Sequence, residues 1–113
     1  MGKSRNVHNQ IVADLEQRLK DSNIEYDLIG TDLVFGSLSR NYGQIDLYAH
    51  KGKYMLYFEI KTSYTDKNYI KATQKQLPGI KDRFASDKLR NWYFFAHGTK
   101  DGGYKIMKVN LNV

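Results

Sequence analysis

The sequence predicts an α/β fold with its elements in the order α-β-β-β-α-β-β. Three observations lead to this prediction: an apolar stripe at helical spacing near the start of the chain, two adjacent runs that alternate between apolar and polar residues, and a compact apolar run near the end. Periods of three to four residues are typical of amphipathic helices, and a period of two is typical of strands. With 113 residues, the chain has the length of one domain, which we take to span residues 1–113.

The first half of the chain predicts one helix followed by strands. The helix spans residues 8–20, and its apolar face consists of Ile11, Val12, Leu15 and Leu19. Residues 24–29 predict a strand that turns at residues 30–32, and residues 33–35 either begin another strand or complete a bent one. Residues 36–43 are polar and predict a loop.

Two strands joined by a tight turn follow this loop. Residues 44–50 and residues 54–63 alternate between apolar and polar side chains, which predicts half-buried strands. The dipeptide Gly52-Lys53 between them suits a two-residue hairpin turn with glycine first. We therefore expect one polar face and one apolar face on this hairpin.

The register of the hairpin brings two carboxylates together. Pairing of Lys51 with Tyr54 places Asp46 directly across from Glu59, with Cβ atoms roughly 5 Å apart, and Lys61 follows on the same face. Like charges opposed on a sheet are destabilising unless something offsets them. A divalent cation does so, because Mg²⁺ binds one or two carboxylates together with water and phosphate oxygens. The alternative is a solvated polar face on which these charges have no function.

The second half of the chain predicts another helix. Residues 64–71 are polar and predict no regular element. Residues 72–87 predict a helix with Thr73 as its N-cap. Because a proline inside a helix removes a backbone hydrogen bond, the helix could instead begin at Pro78.

Two further strands complete the predicted sheet. Residues 91–97 are apolar enough for a buried central strand. The pair Gly102-Gly103 predicts a turn into a last strand over residues 104–109.

Composition excludes several classes of protein. The chain has no cysteine, which excludes disulfides, thiolate zinc sites and a cysteine nucleophile. Its longest strongly apolar stretch, Trp92 to Ala96, is far shorter than the roughly 20 residues that span a bilayer. The polar, basic start of the chain predicts no secretory signal. We therefore expect a soluble, intracellular, cytoplasmic protein that does not associate with membranes.

Positive charge is concentrated downstream of the two carboxylates. The net charge is +6, and residues 61–90 hold eight basic and three acidic residues, which accounts for five of those six charges. A basic surface beside a metal site predicts a polyanionic substrate such as nucleic acid, whereas the charge alone fits a solvated face equally well. The candidate DNA contacts are Lys3, Arg5, Ser37, Ser39, Arg40, Lys67, Lys71 and Lys75.

Asp46, followed after twelve residues by Glu59-Ile60-Lys61, resembles the signature of the PD-(D/E)xK nuclease superfamily. More narrowly, the chain resembles the archaeal-type Holliday junction resolvases, which also occur in viruses and phages. The segment from Gln74 to Ile80 resembles the helix that carries a glutamine in this family. The resemblance spans nearly the whole chain. It implies a restriction-endonuclease-like fold, with a mixed central sheet of about five strands flanked by helices.

The resemblance also implies a role for each matching residue. Asp46 and Glu59 would bind Mg²⁺, with Mn²⁺ as an alternative ion. The carbonyl of Ile60 would add a further ligand. Lys61 would orient or activate the water that attacks the phosphodiester.

Two of the implied roles leave alternatives open, and one position departs from the family. Gln76 either supports the site or forms a capping box with Thr73 three residues earlier. The first helix of the family supplies an acidic metal ligand, and here the candidates are His8, since some relatives use a histidine there, and Glu16, the only glutamate of this helix. Ile45 stands where the family has proline, which changes no ligand.

The resemblance implies a metal-dependent endodeoxyribonuclease that resolves four-way DNA junctions. Two symmetric incisions in one junction require a homodimer, and recognition would rest on the shape and backbone charge of branched DNA. One alternative is a nuclease of the same fold that cuts flaps, nicked DNA or duplex DNA. Another is a nucleic-acid-binding module without catalysis, which would use the basic segments and Tyr64, Tyr69 and Trp92 as stacking groups.

Overall fold

A computed structural model describes residues 3–37, 40–84, 86 and 88–111, with the side chains of residues 3–5, 36–37 and 40–42 outside that description. Its elements are α1 (Lys3–Asp21), β1 (Leu28–Ser37), β2 (Arg40–Lys51), β3 (Tyr54–Lys61), α2 (Asp66–Lys71), a π-helical turn (Ala72–Gln76), α3 (Leu77–Phe84), β4 (Arg90–Gly98) and β5 (Tyr104–Val109). The predicted α/β class and order α-β-β-β-α-β-β are confirmed, with the second helical region divided into three consecutive pieces.

All five strands form one mixed sheet in the order β1-β2-β3-β4-β5. Neighbours are antiparallel except β3 and β4, which are parallel, with Tyr54 paired to Arg90 at one end and Lys61 to His97 at the other. A parallel pair needs a crossover connection, and the helical segment from α2 to α3 provides it. The C-terminal ends of β3 and β4 therefore lie side by side at the same end of the sheet.

Helices cover both faces of the central strands. On one face, α1 contributes to a core of Ile11, Val12, Leu15, Leu47, Phe58, Ile60 and Ala96. On the other face, α3 contributes to a core of Ile45, Tyr57, Leu77, Ile80 and Tyr93. The prediction of half-buried strands is therefore wrong for β3, because Tyr57 and Glu59 on its supposedly exposed face are only 2% and 3% exposed.

The first two strands differ from their predicted bounds. The predicted strand over residues 24–29 is wrong, since β1 begins only at Leu28, and β1 then continues through the predicted turn as one bent strand. Asp32 takes a positive φ of 55° there, which aspartate tolerates better than most residues. The loop predicted for residues 36–43 is also wrong, because β1 and β2 extend into it and Ser37 pairs with Arg40.

The helical crossover begins earlier than predicted. Residues 64–71, predicted to be irregular, contain α2, whose N-cap Thr65 accepts a hydrogen bond from the backbone N–H of Asn68 at 3.0 Å. The predicted cap Thr73 lies inside the helical segment, and its hydroxyl donates to the carbonyl oxygen of Tyr69. The segment neither begins nor ends at Pro78.

The π-helical turn explains how the helix accommodates that proline. Pro78 has no N–H to donate to the carbonyl four residues earlier. Just before it, the N–H of Leu77 bonds the carbonyl of Ala72, five residues back, which is the pattern of a π-turn. None of the described helices is both long and apolar enough to cross a membrane.

Candidate functional site

The hairpin of β2 and β3 has the predicted register. Lys51 pairs with Tyr54, and the ladder continues as far as Leu47 and Phe58. Gly52 takes a positive φ of 55° in the turn, a conformation that favours glycine. The register of this hairpin is therefore confirmed from the turn to the pair that precedes the two carboxylates.

Beyond this ladder, a hydrogen bond to a side chain takes the place of the backbone pairing between β2 and β3. The backbone N–H of Ile60 donates to Oδ2 of Asp46 at 2.8 Å. The strand also changes face here, since Ile45 packs in the core under α3 whereas Leu47 packs in the core under α1. Residues two apart in a regular strand share a face. Asp46 thus occupies an irregular position whose side chain is fixed by the neighbouring strand.

Asp46 and Glu59 form a buried pair of carboxyl groups. Their side chains belong to residues only 5% and 3% exposed. Burial, together with the negative charge of Asp46, raises the pKa of Glu59 to about 9. The Lys61 ammonium opposes this rise in pKa, with Nζ 3.8 Å from Oε2 of Glu59. An added cation would stabilise the ionised pair for the same reason.

α1 brings His8 to this pair. His8 lies a helical turn before Ile11, which packs on the sheet, so the same helix face carries His8 to the edge of the core. Its Nε2 is 3.5 Å from Oδ2 of Asp46, and the hydrogen bond to Asp46 raises the pKa of the imidazole. The other candidate, Glu16, does not line the site and instead pairs with Lys20 along the helix surface.

The π-turn carries Gln76 into the same place. Its Oε1 is buried and has no hydrogen-bond partner within the described part of the chain. The alternative interpretation, a capping box with Thr73, is wrong because Thr73 donates to Tyr69 and caps no helix. Buried polar atoms in native proteins are almost always paired, so this oxygen indicates a missing partner in the site.

These residues line one open cleft of about 330 Å³, which we call the carboxylate cleft. Its lining consists of His8, Gln44, Asp46, Glu59, Ile60, Lys61, Thr62, Asn68 and Gln76. Six of the candidate catalytic and metal-binding residues thus gather in it, and only Glu16 of that set does not. The structure adds three polar residues that the sequence analysis missed, namely Gln44, Thr62 and Asn68.

The three missed residues differ in how clearly the sequence indicates that they belong to the site. Gln44 and Thr62 flank the carboxylate positions on β2 and just after β3, so extending the hairpin by one or two residues indicates them. Asn68 required recognition of α2, for which the sequence offers Thr65 followed by Asp66, a typical helix start. Its Nδ2 donates to the carbonyl oxygen of Ser63 at 3.0 Å.

Three of the candidate DNA contacts lie on the helical crossover. Lys67, Lys71 and Lys75 are exposed and follow one another at intervals of four residues, outside the lining of the carboxylate cleft. The positive charge of Lys71 lowers the pKa of Glu59, so it acts on the site electrostatically. Ser39 and the side chains of Lys3, Arg5, Ser37 and Arg40 lie outside the described part of the structure.

The donor set fits a hard divalent cation with few protein ligands. Asp46 and Glu59 supply carboxylate oxygens, and Ile60 lines the cleft between them and Lys61. No group of three or more His, Asp or Glu side chains able to hold a metal exists among residues 3–37, 40–84, 86 and 88–111. Mg²⁺ commonly binds one or two carboxylates and keeps several waters, which matches such a sparse set.

Comparison of the chain with protein-family models, with curated proteins and with solved structures found no match. The geometry and chemistry of the carboxylate cleft are therefore the basis for assigning a function to the chain.

Proposed function

We propose that the chain is a metal-dependent endonuclease that hydrolyses phosphodiester bonds in DNA, with the four-way junction as its substrate. One observation carries this proposal: two buried carboxyl groups face each other beside a lysine, in a cleft open to solvent. Asp46 is fixed by the N–H of Ile60, Glu59 has its pKa raised to about 9, and Lys61 lies within 3.8 Å.

The energetic cost of this pair supports a site for a cation. Taking charged groups out of water is unfavourable unless they are paired or bind metal. Lys61 offsets part of the charge of Glu59 but leaves its pKa raised. A protein that merely binds DNA gains nothing from two acids in its interface, since they repel phosphate. The pair is explained if a divalent ion binds both groups together with the substrate.

Each residue of the cleft has a role in the proposed reaction. Asp46, Glu59 and the carbonyl of Ile60 would hold Mg²⁺ or Mn²⁺. When bound, such an ion supplies positive charge that makes a water molecule more acidic and stabilises the charge on the phosphate oxygens. Lys61 orients this water through its ammonium donors.

Two further residues, His8 and Gln76, would hold the carboxylates and the water of this proposed site in position. His8 donates to Asp46 from Nε2 in its protonated form, and so restrains the carboxylate that Ile60 also holds. The Oε1 of Gln76 is an acceptor without a partner within the described part of the chain. It accepts a hydrogen bond from water in the cleft, which completes its hydrogen bonding.

The basic crossover supports a nucleic-acid substrate. Lys67, Lys71 and Lys75 lie exposed beside the cleft. Each contact between a lysine and a phosphate releases bound counterions, which gives affinity without reading the base sequence. A junction cut by paired incisions requires two active sites related by two-fold symmetry, so we propose a homodimer as the active form.

A cleavage assay tests the proposal. A labelled, immobile four-way junction is incubated with wild-type protein in Mg²⁺ and in EDTA, and with Asp46→Asn and Lys61→Ala in Mg²⁺. Glu25→Gln and Lys51→Ala remove comparable charges at exposed positions and serve as matched controls. We expect paired nicks that require the metal, disappear in both cleft variants and persist in both controls.

Other outcomes separate the alternatives. Faster cleavage of linear, nicked or flap DNA than of the junction would retain the nuclease and replace its substrate. Tight binding of the junction with no cleavage in Mg²⁺ or Mn²⁺ would contradict the enzyme and leave a DNA-binding module.

A further inference from the structure

A second cleft lies at the opposite end of the sheet from the carboxylates. It has a volume of about 690 Å³ and is formed by the start of β4, α3 and the end of β5, with Tyr93 among its lining residues. We call it the Tyr93 cleft. The two clefts share no lining residue, although Tyr93 pairs with Tyr57, two residues before Glu59 on β3. The two clefts are therefore separate sites on one rigid framework.

Three basic residues from three elements line the Tyr93 cleft. They are Lys81 of α3, Arg90 of β4 and Lys108 of β5. The Nζ of Lys108 lies 3.9 Å from the centre of the Trp92 ring. Because that ring stacks on Phe94, which packs against the core under α1, the Lys108 ammonium lies on the face of the sheet away from Tyr93. Lys81 donates to the carbonyl oxygen of Leu111 at the other side.

Negative charge is sparse around this cleft. Among the described residues that line it, none carries a carboxylate. Asp82 of α3, an exposed residue, is the acid whose charge acts on Tyr93. Among the described residues, this one exposed acid leaves Lys81 and Arg90 with an excess of positive charge.

Two buried polar atoms of the cleft have no partner within the described part of the chain. They are the hydroxyl of Tyr93, a residue only 3% exposed, and Oδ1 of Asn91. Burial raises the pKa of Tyr93, so its hydroxyl stays protonated and is available as a donor. The Nδ2 of Asn91 makes only a long hydrogen bond of 3.4 Å to the carbonyl of Leu89. Rotation of this amide would present Nδ2 to the cleft as a second donor.

We propose that the Tyr93 cleft binds a phosphate group. Phosphate oxygens are acceptors that would pair the Tyr93 hydroxyl, and Arg90 supplies the planar donor set that matches them. The volume lies within the range of small-ligand sites. This site goes beyond the proposed nuclease function, since it uses no residue of the carboxylate cleft. The phosphate belongs either to a free phosphate ion or to the backbone of a nucleic-acid strand.

Trp92, the only tryptophan of the chain, makes binding directly measurable. Trp92 lines the cleft and is adjacent in the chain to Tyr93, so its fluorescence is expected to respond to a ligand that binds there. The protein is titrated in EDTA and at constant ionic strength with inorganic phosphate, and separately with a short oligothymidylate. We expect a saturable change in at least one titration. A response to inorganic phosphate identifies a free anion as sufficient, and a response to the oligonucleotide alone identifies the phosphodiester backbone.

Two variants and one control locate the response. Tyr93→Phe and Arg90→Gln should each weaken binding about tenfold, the effect of losing one hydrogen bond to a charged group. Lys105→Gln removes a charge from β5 outside the cleft and should change the affinity little. The proposal is overturned by an unsaturable response to both probes, by unchanged affinity in both variants, or by an equal loss in the control.

Stability measurements distinguish a binding role from a structural one. Because the Tyr93 hydroxyl has no partner within the described residues, its removal should leave the melting temperature of the free protein unchanged or raised. The ring of Phe at this position keeps the stack that Tyr93 makes with Tyr57 at 5.6 Å. A large fall in the melting temperature of Tyr93→Phe would show that the hydroxyl supports the fold and would contradict the proposal. The assay needs neither metal nor cleavage, so its result is independent of the nuclease test.

Discussion

The backbone N–H of Ile60 donates to the Asp46 carboxylate at 2.8 Å, so the acid that faces Glu59 is fixed by the residue next to Glu59. The bond crosses from β3 to β2 where the regular ladder has ended. Because a main-chain donor on a central strand hardly moves, the position of Asp46 is set before any ion or substrate binds. Such preorganisation is what an electrostatic site requires.

Glu59→Gln should stabilise the metal-free protein at neutral and alkaline pH. The pKa of Glu59 is raised from 4.5 to about 9. Between these values the folded state binds more protons than the unfolded state, so the free energy of unfolding falls as pH rises. Glutamine has no charge to lose, and we expect a gain on the order of 1–3 kcal/mol at pH 8. The check is thermal unfolding in EDTA at pH 5 and pH 8.

The exposed Glu25→Gln variant is the control for this measurement. It should follow the wild type at both pH values. A Glu59→Gln protein that is less stable than the wild type at pH 8 would contradict the assignment of a strained carboxyl group.

Divalent ions should stabilise the wild type but not the carboxylate variants. An ion that binds only the folded state adds about 2.7 kcal/mol when its concentration is roughly 100-fold above its Kd. Asp46→Asn and Glu59→Gln each remove one of the two proposed acidic ligands. Melting curves with Mg²⁺, Mn²⁺ and EDTA measure the effect without any DNA. Equal metal shifts in wild type and both variants would place the ion elsewhere.

The imidazole of His8 should titrate above its ordinary value because it bonds Asp46. The folded pKa is raised above 6.5 by that hydrogen bond. The stability it contributes is therefore complete below pH 6.5 and is lost as pH rises through the higher folded value. An NMR titration of the imidazole protons measures this, with the signal assigned through His8→Gln.

Asp46→Asn removes the partner of His8 and should lower its pKa towards 6.5. As a control, Glu25→Gln removes an exposed carboxylate and should leave the His8 titration curve unaltered. A His8 curve that is the same in wild type and Asp46→Asn would show that the two side chains do not interact in solution.

Gln76→Leu should reduce cleavage without reducing stability. The buried Oε1 has no partner within the described residues, so an apolar side chain of similar size removes an unpaired polar atom. Loss of a residue that supports the metal site typically costs about 10- to 100-fold in activity. Initial rates of junction cleavage and melting temperatures are measured together. The matched control is Gln74→Leu, an exposed position in the same π-turn.

A fall in stability together with activity would assign Gln76 to the fold. An unchanged cleavage rate in Gln76→Leu would show that Gln76 does not support the reaction.

The sequence predicted the carboxylate pair because a two-residue turn permits few registers. Once Gly52 and Lys53 occupy the turn, every opposed pair of the hairpin follows by counting. Burial of Glu59 could not be predicted in this way. It depends on α3 covering the second face of the sheet, and local alternation cannot distinguish a polar residue in solvent from one beneath a helix.

The helical crossover was the least predictable region. Thr65 followed by Asp66 is a typical helix start, but the prediction treated residues 64–71 as irregular and took Thr73 as the N-cap. Pro78 argued for a break, since proline usually interrupts a helix. The chain instead adopts a π-turn before it, an arrangement that no single-residue propensity encodes.

That π-turn determines how α3 is rotated about the helix axis relative to α2. Ala72 and Leu77 are both fully buried although five residues apart, a spacing that would place them on different sides of a regular α-helix, where each residue advances by about 100°. The extra residue in the turn allows α2 and α3 to present one common side to the sheet. Deleting one residue between them would rotate α3 relative to α2. Either Gln76 could then lie in the carboxylate cleft or α3 could pack on the sheet, but not both.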